Sequence, residues 1–410
     1  MGAVERWLET NPGWLLVLDN ADDLAMTREF IPHDAQGHIL LTTRSQATLA
    51  VAERVEIEEM APEEGALFLL RRSGVIAKDQ PLSAASAADR KLAEQISAEL
   101  GELPLALDQA GAFIEETPSN LAEYMAFYRS EGAKLLAKRG GLGDHPSVTV
   151  TFSLAFKKVA EASAPGADLI RACAFLAPDA IPEEVFTEGA VELGENLATA
   201  ATSPLAFAEA LMEARRFSLI DRHPHNKTLD VHRLVQAVVK DGMNGAERRQ
   251  WAERAVRAVN TAFPGVEFSS WAECERLLSH AQACLAVVDE FRFEFDEVAR
   301  LSNQTGLYLS ERARYAEAER LHGLALAIWE KALGPEHPNM ASSLNNLALL
   351  HYAQGRYAGA EPLFQRALAI REQALGPEHP EVAQSLSNLA LLYKRRHAAA
   401  EPLYQRALAA

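Results

Sequence analysis

Two side chains stand where folded chains keep ligands. The apolar run Trp14–Leu18 stops abruptly at Asp19, and the run Gly37–Thr43 stops at Arg44. Both runs are too short for a stable helix and suit strands buried on both faces of a parallel sheet. Open α/β sheets bind ligands at the carboxyl ends of their strands. A carboxylate there suits a Mg²⁺ beside a nucleotide, and a guanidinium there suits a phosphate. The plainer readings are an acidic turn that caps the next helix through Asp22 or Asp23, and a surface arginine. A third candidate is His232 in Val231-His232-Arg233, just before the helical pattern of Leu234-Val235-Gln236. An imidazole at a helix start suits an anion or packs locally. His223 and His225 flank a hairpin tip, which is more simply a turn than a metal site, and no metal site in the protein alone is expected. No Ser/His/Asp or Cys/His set stands at a diagnostic spacing.

The elements that would position these groups fall into segments. Around the two strands the pattern gives short helices at Val4–Glu9 and Leu24–Phe30, with a third strand at Arg54–Ile57. From Pro62 the chain turns helical, through Glu63–Arg72 and Ala85–Leu100. Gly101 then suits a helix end, and Pro104 the first turn of an apolar helix over Leu105–Ile114. The glycine-rich stretch between Lys138 and Pro146 reads as an interdomain joint. Beyond it come helices, then a hairpin with Phe217–Asp221 and Thr228–Val231 flanking His223–Asn226, an arrangement that makes a winged-helix fold.

From Ala246 the pattern is entirely helical, and a repeat appears. Gly334-Pro335-Glu336-His337-Pro338 recurs at 376–380, an offset of 42 residues. Leu344-Asn345-Asn346-Leu347-Ala348-Leu349-Leu350 recurs as Leu386-Ser387-Asn388-Leu389-Ala390-Leu391-Leu392 at the same offset, and a more divergent copy covers Leu301–Leu333. In the last copy two residues drop out, since Glu401 follows Glu361 by 40. Such a period is a solenoid signature. Leu344, Leu347, Ala348 and Tyr352 share one face and should pack inward. The Pro-Glu-His-Pro loops are structural devices that fix the angle of the next helix. Asn345, Asn346 and Asn388 either face a groove and pair with the backbone of an extended peptide, or serve the scaffold. The array closes on Ala409-Ala410 without a polar capping helix, which predicts stacking on a neighbour or a longer array.

Bulk properties set outer limits. The chain has 410 residues, 48% hydrophobic and 24% charged, enough for several domains with real cores. Its formal charge of −17 argues against general nucleic-acid binding, which needs a basic surface. Three scattered cysteines fit a reducing cytosol rather than a disulfide frame. No apolar run reaches membrane-spanning length, and no signal-peptide pattern opens the chain.

Three stretches together carry a family likeness. Leu15-Leu16-Val17-Leu18-Asp19-Asn20-Ala21-Asp22-Asp23 resembles the second nucleotide motif of NB-ARC proteins, members of the STAND class of signalling ATPases. Ile39-Leu40-Leu41-Thr42-Thr43-Arg44 resembles their sensor motif, and Leu100–Leu107 their Gly-Leu-Pro-Leu-Ala motif, all in family order. The resemblance implies that Asp19 orients Mg²⁺ of ADP or ATP through water, Arg44 meets the terminal phosphate, and Pro104 packs on the adenine. His232, at the position of the family's Met-His-Asp motif, would touch the β-phosphate of ADP. Two positions depart from the pattern: Asn20 replaces a second acid, and an amide cannot take a proton from water; Arg233 replaces the acid of the last motif. Gly-x-x-x-x-Gly-Lys-Ser/Thr, whose backbone N–H groups wrap phosphates, occurs nowhere in these residues. In the family that loop precedes the Asp19-type strand, so this chain is expected to be the C-terminal part of a longer architecture. The repeats resemble those of kinesin light chains.

The resulting expectation is a multidomain chain, α/β plus α. Residues 1–60 would be part of a P-loop NTPase-type parallel sheet and 61–139 a helical domain. Residues 147–245 would be a winged-helix domain and 246–410 a tetratricopeptide solenoid, clear from about residue 300. The expected function is a cytoplasmic signalling protein, with a nucleotide switch coupled to a repeat sensor for a protein or peptide ligand. Nucleotide binding by this chain alone would be weak or absent, although the family would be slow ATPases. Nucleotide-dependent self-assembly is expected only of a longer protein. The alternative is a peptide-binding scaffold with a vestigial nucleotide module.

Overall fold

A computed structural model describes residues 2–18, 21, 24–28, 30–32, 36–43, 55, 60–117, 119–139, 146–395 and 401–409. The chain forms two compact units, Met1–Glu59 and Met60–Ala410.

The first unit contains α1 (Gly2–Thr10), β1 (Leu15–Leu18), α2 (Leu24–Arg28) and β2 (His38–Leu41). β1 and β2 pair in parallel, from Leu15 opposite His38 to Leu18 opposite Leu41. Trp14 donates its indole N–H to the Leu8 carbonyl (2.8 Å) and lies across Gly37. A Cβ at Gly37 would come 2.3 Å from that indole, so the close approach needs glycine. The strands are not buried on both faces as their apolar runs imply. Burial alternates along each, and Leu15, Val17 and Leu40 are more than half exposed. Alternate side chains of a pleated strand project to opposite faces, and one face of this pair is open among the described residues.

The second unit is almost wholly helical. It opens with α3 (Pro62–Arg72), α4 (Ala87–Glu99), α5 (Pro104–Glu116), α6 (Leu121–Arg139), α7 (Pro146–Ala162) and α8 (Ala164–Cys173). A small antiparallel sheet follows, built from β3 (Ile181–Pro182), β4 (Asp221–His223) and β5 (Thr228–Asp230) in the order β3-β5-β4. Helices α9 (Glu184–Thr187), α10 (Glu195–Ala201) and α11 (Pro204–Arg215) lie between its first two strands in sequence. The β4–β5 hairpin is held by an ion pair from Arg222 of β4 to Glu183 and by His223 Nε2 against Asp230 Oδ2 (2.7 Å). His223 thus has the carboxylate partner that the sequence did not reveal.

Then come α12 (Arg233–Gly242), α13 (Gly245–Ala262), α14 (Trp271–Phe291) and three antiparallel pairs: α15 (Asp296–Glu311) with α16 (Tyr315–Leu333), α17 (Pro338–Ala353) with α18 (Tyr357–Leu375), and α19 (Pro380–Arg395) with α20 (Glu401–Ala409). Gly334 and Gly376 end the second helices at φ 87° and 85°, where a side chain would be strained. Leu344 and Ala348 are buried, whereas Leu347 and Tyr352 are only half-buried. One contiguous apolar core runs from α3 to α18, and a smaller one joins the last two repeats.

Candidate functional site

The sequence places four nucleotide-contacting candidates in two units. Asp19 and Arg44 lie outside the described residues. Their approach is described: the Thr42 N–H donates to the Leu18 carbonyl (2.9 Å), and the Ala21 N–H donates to the Thr42 carbonyl (2.7 Å). The backbone before each candidate therefore runs side by side.

In the second unit Pro104 is the first residue of α5 and is exposed. The turn before it uses Gly101 at φ 68° and Glu102 at φ 55°. Proline fits here because a first-turn N–H has no helical acceptor anyway. Ala106, Leu107 and the stretch from Gln109 to Ile114 are buried, with Gln109 fully so; its Nε2 donates to the Ser218 carbonyl (2.6 Å). Arg72, at the end of α3, crosses the same helix. Its Nε donates to Asp108 Oδ1 (2.7 Å), its Nη2 to Ser218 Oγ (3.0 Å), and its Nη1 to Glu115. A Cβ on Gly111 would sit 2.4 Å from Arg72 Cγ, so this glycine makes room for the crossing. Ser218, at φ 52°, lies in the turn between α11 and β4. The Arg72 cluster thus ties α3 and α5 to the turn that leads from α11 into β4. It was missed from the sequence; the available signal was an isolated glycine inside an apolar helix.

His232 caps α12. Its Nδ1 accepts the Leu234 N–H (3.2 Å), which leaves Nε2 to carry the proton of the neutral ring. Desolvation, then the charge of Arg233, lowers its pKa against the opposing pull of Asp179. The ring is therefore neutral at pH 7, an exposed single donor at a helix start. The same cap recurs at His337 and His379, whose Nδ1 atoms accept from Asn339 and Glu381 at 3.2 Å. α12 is fixed below by Gln236, whose Nε2 donates to the carbonyls of Cys173 (2.8 Å) and Leu176 (3.0 Å). Both α5 and α12 pack on α7.

A cavity of about 480 Å³ opens among α5, α6, α7 and the turn after α11, floored by Phe113, Phe127 and Phe217. It touches the C-terminal end of α5, whereas Pro104 opens that helix, about 18 Å away at the α-helical rise. The cavity is therefore not the place where Pro104 could meet a base. Among the described residues no group of three or more His, Cys, Asp or Glu could hold a metal ion, and no helix is long and apolar enough to cross a membrane.

In the repeats the asparagines pair with one another. Asn388 Nδ2 donates to Asn345 Oδ1 (2.9 Å), and Asn346 Nδ2 donates to Asn303 Oδ1 (3.3 Å), which also meets His322 Nδ1 (3.1 Å). The two rungs occupy the same repeat positions. Asn345 and Asn388 are buried, each 6% exposed, so a peptide-facing role for them is not what the structure shows. Each amide satisfies the other in a site too dry to leave one alone. Asn346 remains half-buried.

A tetratricopeptide-repeat family model matches residues 297–373 and 340–410. These residues form tetratricopeptide repeats. A domain of unknown function, DUF7779, matches residues 157–248, across the small sheet. A nucleotide-binding leucine-rich repeat (NLR)-like protein of Hyaloscypha variabilis is 28% identical over 367 residues, covering 82% of this chain and 35% of the relative. The chain spans about a third of that relative's length. Among solved structures, a STAND protein with a tetratricopeptide repeat sensor from Pyrococcus horikoshii is 14% identical at TM-score 0.36, covering 99% of this chain and 63% of that one. BtubC from P. vanneervenii is 18% identical at TM-score 0.32, covering 71% of this chain and 88% of that one. The chain resembles NB-ARC/STAND-type signalling proteins joined to tetratricopeptide repeats.

Proposed function

We propose that this chain is the regulatory portion of a STAND-type signalling protein of the cytoplasm. Its repeats read a protein ligand, and that reading biases a nucleotide switch. The observation that carries this is the coupling of the two parts: one apolar core joins the helix that Pro104 opens, the helix that His232 caps and the first two repeat pairs. A ligand that reshapes the array therefore acts on elements that share a core with those two helices. The roles of Pro104 on adenine and of neutral His232 as a donor to a phosphate come from the family resemblance. They are supported by the exposure of both side chains at helix starts. By the same resemblance Asp19 would orient Mg²⁺ through water and Arg44 would meet the terminal phosphate of ADP or ATP. The helices and sheet over 147–245 would be the chain's winged-helix domain.

These residues lack the glycine-rich loop and lysine that wrap phosphates, so nucleotide binding by this chain alone is weak or absent. Slow hydrolysis and nucleotide-dependent assembly would belong to a longer protein. A scaffold whose nucleotide module is vestigial is the second reading, favoured by Asn20 and Arg233 at two positions where the family has acids. Reading the codons in frame upstream of Met1 separates the two. A Gly-x-x-x-x-Gly-Lys-Ser/Thr motif there supports the switch; an upstream frame without one leaves the scaffold.

A further inference from the structure

The cavity of about 480 Å³ among α5, α6, α7 and the turn after α11 takes no part in the nucleotide reading. Small-molecule sites span about 300–1,000 Å³, so its size suits a small ligand. Its floor is aromatic. Phe113 stands edge-on to Phe127 (6.3 Å between ring centroids, 67°) and tilted against Phe217 (6.0 Å). Phe113 and Phe217 are buried, whereas Phe127 is 46% exposed. One cation already lies on this floor. The Arg216 guanidinium is 5.8 Å from the centroid of the Phe217 ring, within reach of a cation–π contact.

The polar wall has a bias that follows from where its protons go. Arg216 Nε donates to Glu116 Oε2 (2.6 Å) and Lys158 Nζ donates to Glu161 Oε2 (3.0 Å), so both lining cations are committed. The third lining carboxylate, Glu123, accepts the Asn120 N–H at Oε2 (3.0 Å) and pairs with no lysine or arginine among the described residues. The Thr117 hydroxyl gives its single proton to the Phe113 carbonyl (2.6 Å), so in the 2.5 Å contact between Thr117 and Ser119 the serine is the donor. Ser119 Oγ and Glu123 Oε1 are then acceptors without a donor among the described residues. Glu123 and Phe127 stand four residues apart on α6 and share one face. An unpaired carboxylate, a hydroxyl oxygen with spare lone pairs and an exposed aromatic ring all favour positive charge.

We propose that this cavity binds a small organic ammonium ion with an aromatic body, its ring on the phenylalanine floor and its charge between Glu123 and Ser119. An ammonium carries three donors and no acceptor, which matches the atoms left open on the wall. A neutral ring would gain the floor and leave the wall unmatched. An anion would face three carboxylates against two cations that already have partners. A ligand seated there touches α5, α6, α7 and the turn that leads from α11 into β4. The inference stands apart from the nucleotide reading and shares no residue with it.

The test is a ligand-observed NMR titration of the whole chain. The probes are the cations tryptamine and phenethylamine, the neutral body methylindole and the anion indolepropionate. At least one amine is expected to bind about tenfold more tightly than methylindole, the worth of about one charge-assisted hydrogen bond, and the anion to bind more weakly than either. Glu123→Gln keeps an acceptor for the Asn120 N–H and removes the charge. It is expected to bring the amine down to the affinity of methylindole, about tenfold, while methylindole binding and the thermal melt stay unchanged. Phe127→Leu keeps an apolar side chain and removes the ring, and is expected to weaken the amine by about threefold or more. Amine binding no tighter than that of methylindole overturns the inference. So does amine binding that ignores Glu123→Gln, and so does failure of both amines to bind.

Discussion

Acidification should loosen this protein through two histidines that the fold buries neutral. His280 of α14 is fully buried, with its Nε2 on the Ala180 carbonyl (3.2 Å) and its Nδ1 without a partner. His322 of α16 is also fully buried; its Nδ1 meets Asn303 and its Nε2 has no partner. Desolvation lowers both pKa values from 6.5 to about 4, opposed at His280 by the Ala180 carbonyl. A folded pKa below the unfolded one means that the unfolded chain takes the proton first. Stability is therefore complete above about pH 6.5, falls as pH drops toward 4, and changes no further below that. A shift of about 2.5 units corresponds to roughly 3 kcal/mol per histidine when fully titrated, and about 2 kcal/mol at pH 5. Against a total of 5–15 kcal/mol typical of folded domains, that is a large fraction. Hydrogen exchange, corrected for its intrinsic pH dependence, would read each histidine in its own helix between pH 8 and pH 5. His322→Gln should lower the protection of α16 at pH 8 but remove about 2 kcal/mol of its pH dependence. An unchanged pH dependence in that variant would refute the burial argument.

Other outcomes follow from the same geometry. Arg72→Ala should destabilise the second unit by about 2 kcal/mol, because it leaves Asp108 and Ser218 without their shared donor; a thermal melt reads this. Gly111→Ala should be damaging as well, since its Cβ would displace the Arg72 stem, with the loss of protection centred on the β4–β5 hairpin. His232→Ala and His337→Ala should each cost about 1 kcal/mol, because the two rings make the same cap; unequal costs would show that His232 does something more in the folded chain.

The sequence revealed periodic and punctuated features well and side-chain pairing poorly. The 42-residue offset was visible because every unit must bury the same face and turn at the same glycine. The helix starting at Pro104 was visible because Gly101 and Pro104 bracket it. The hairpin was legible from its turn residues, but its first strand is Asp221–His223 and not Phe217–Asp221, and the Asp230 partner of His223 was hidden, since cross-strand neighbours depend on register. Asn345 and Asn388 misled for a related reason. Their repetition shows that something recurs at that position, but not whether the amides meet a ligand or the next repeat. The contact that satisfies them spans 43 residues, one more than the repeat, so aligning equivalent positions hides it. The exposed sheet face was missed because an apolar run shows that side chains can be buried, not what covers them. Among the described residues β1 has a single partner strand.

The central claim is that nucleotide recognition is divided between residues this chain has and a phosphate-wrapping loop that its sequence lacks. Isothermal titration of Mg-ADP into the purified chain tests it most directly. No binding tighter than roughly 100 µM is predicted, because Pro104 and His232 offer one apolar contact and one donor. A saturating isotherm in the low-micromolar range, abolished by His232→Ala, would contradict the account.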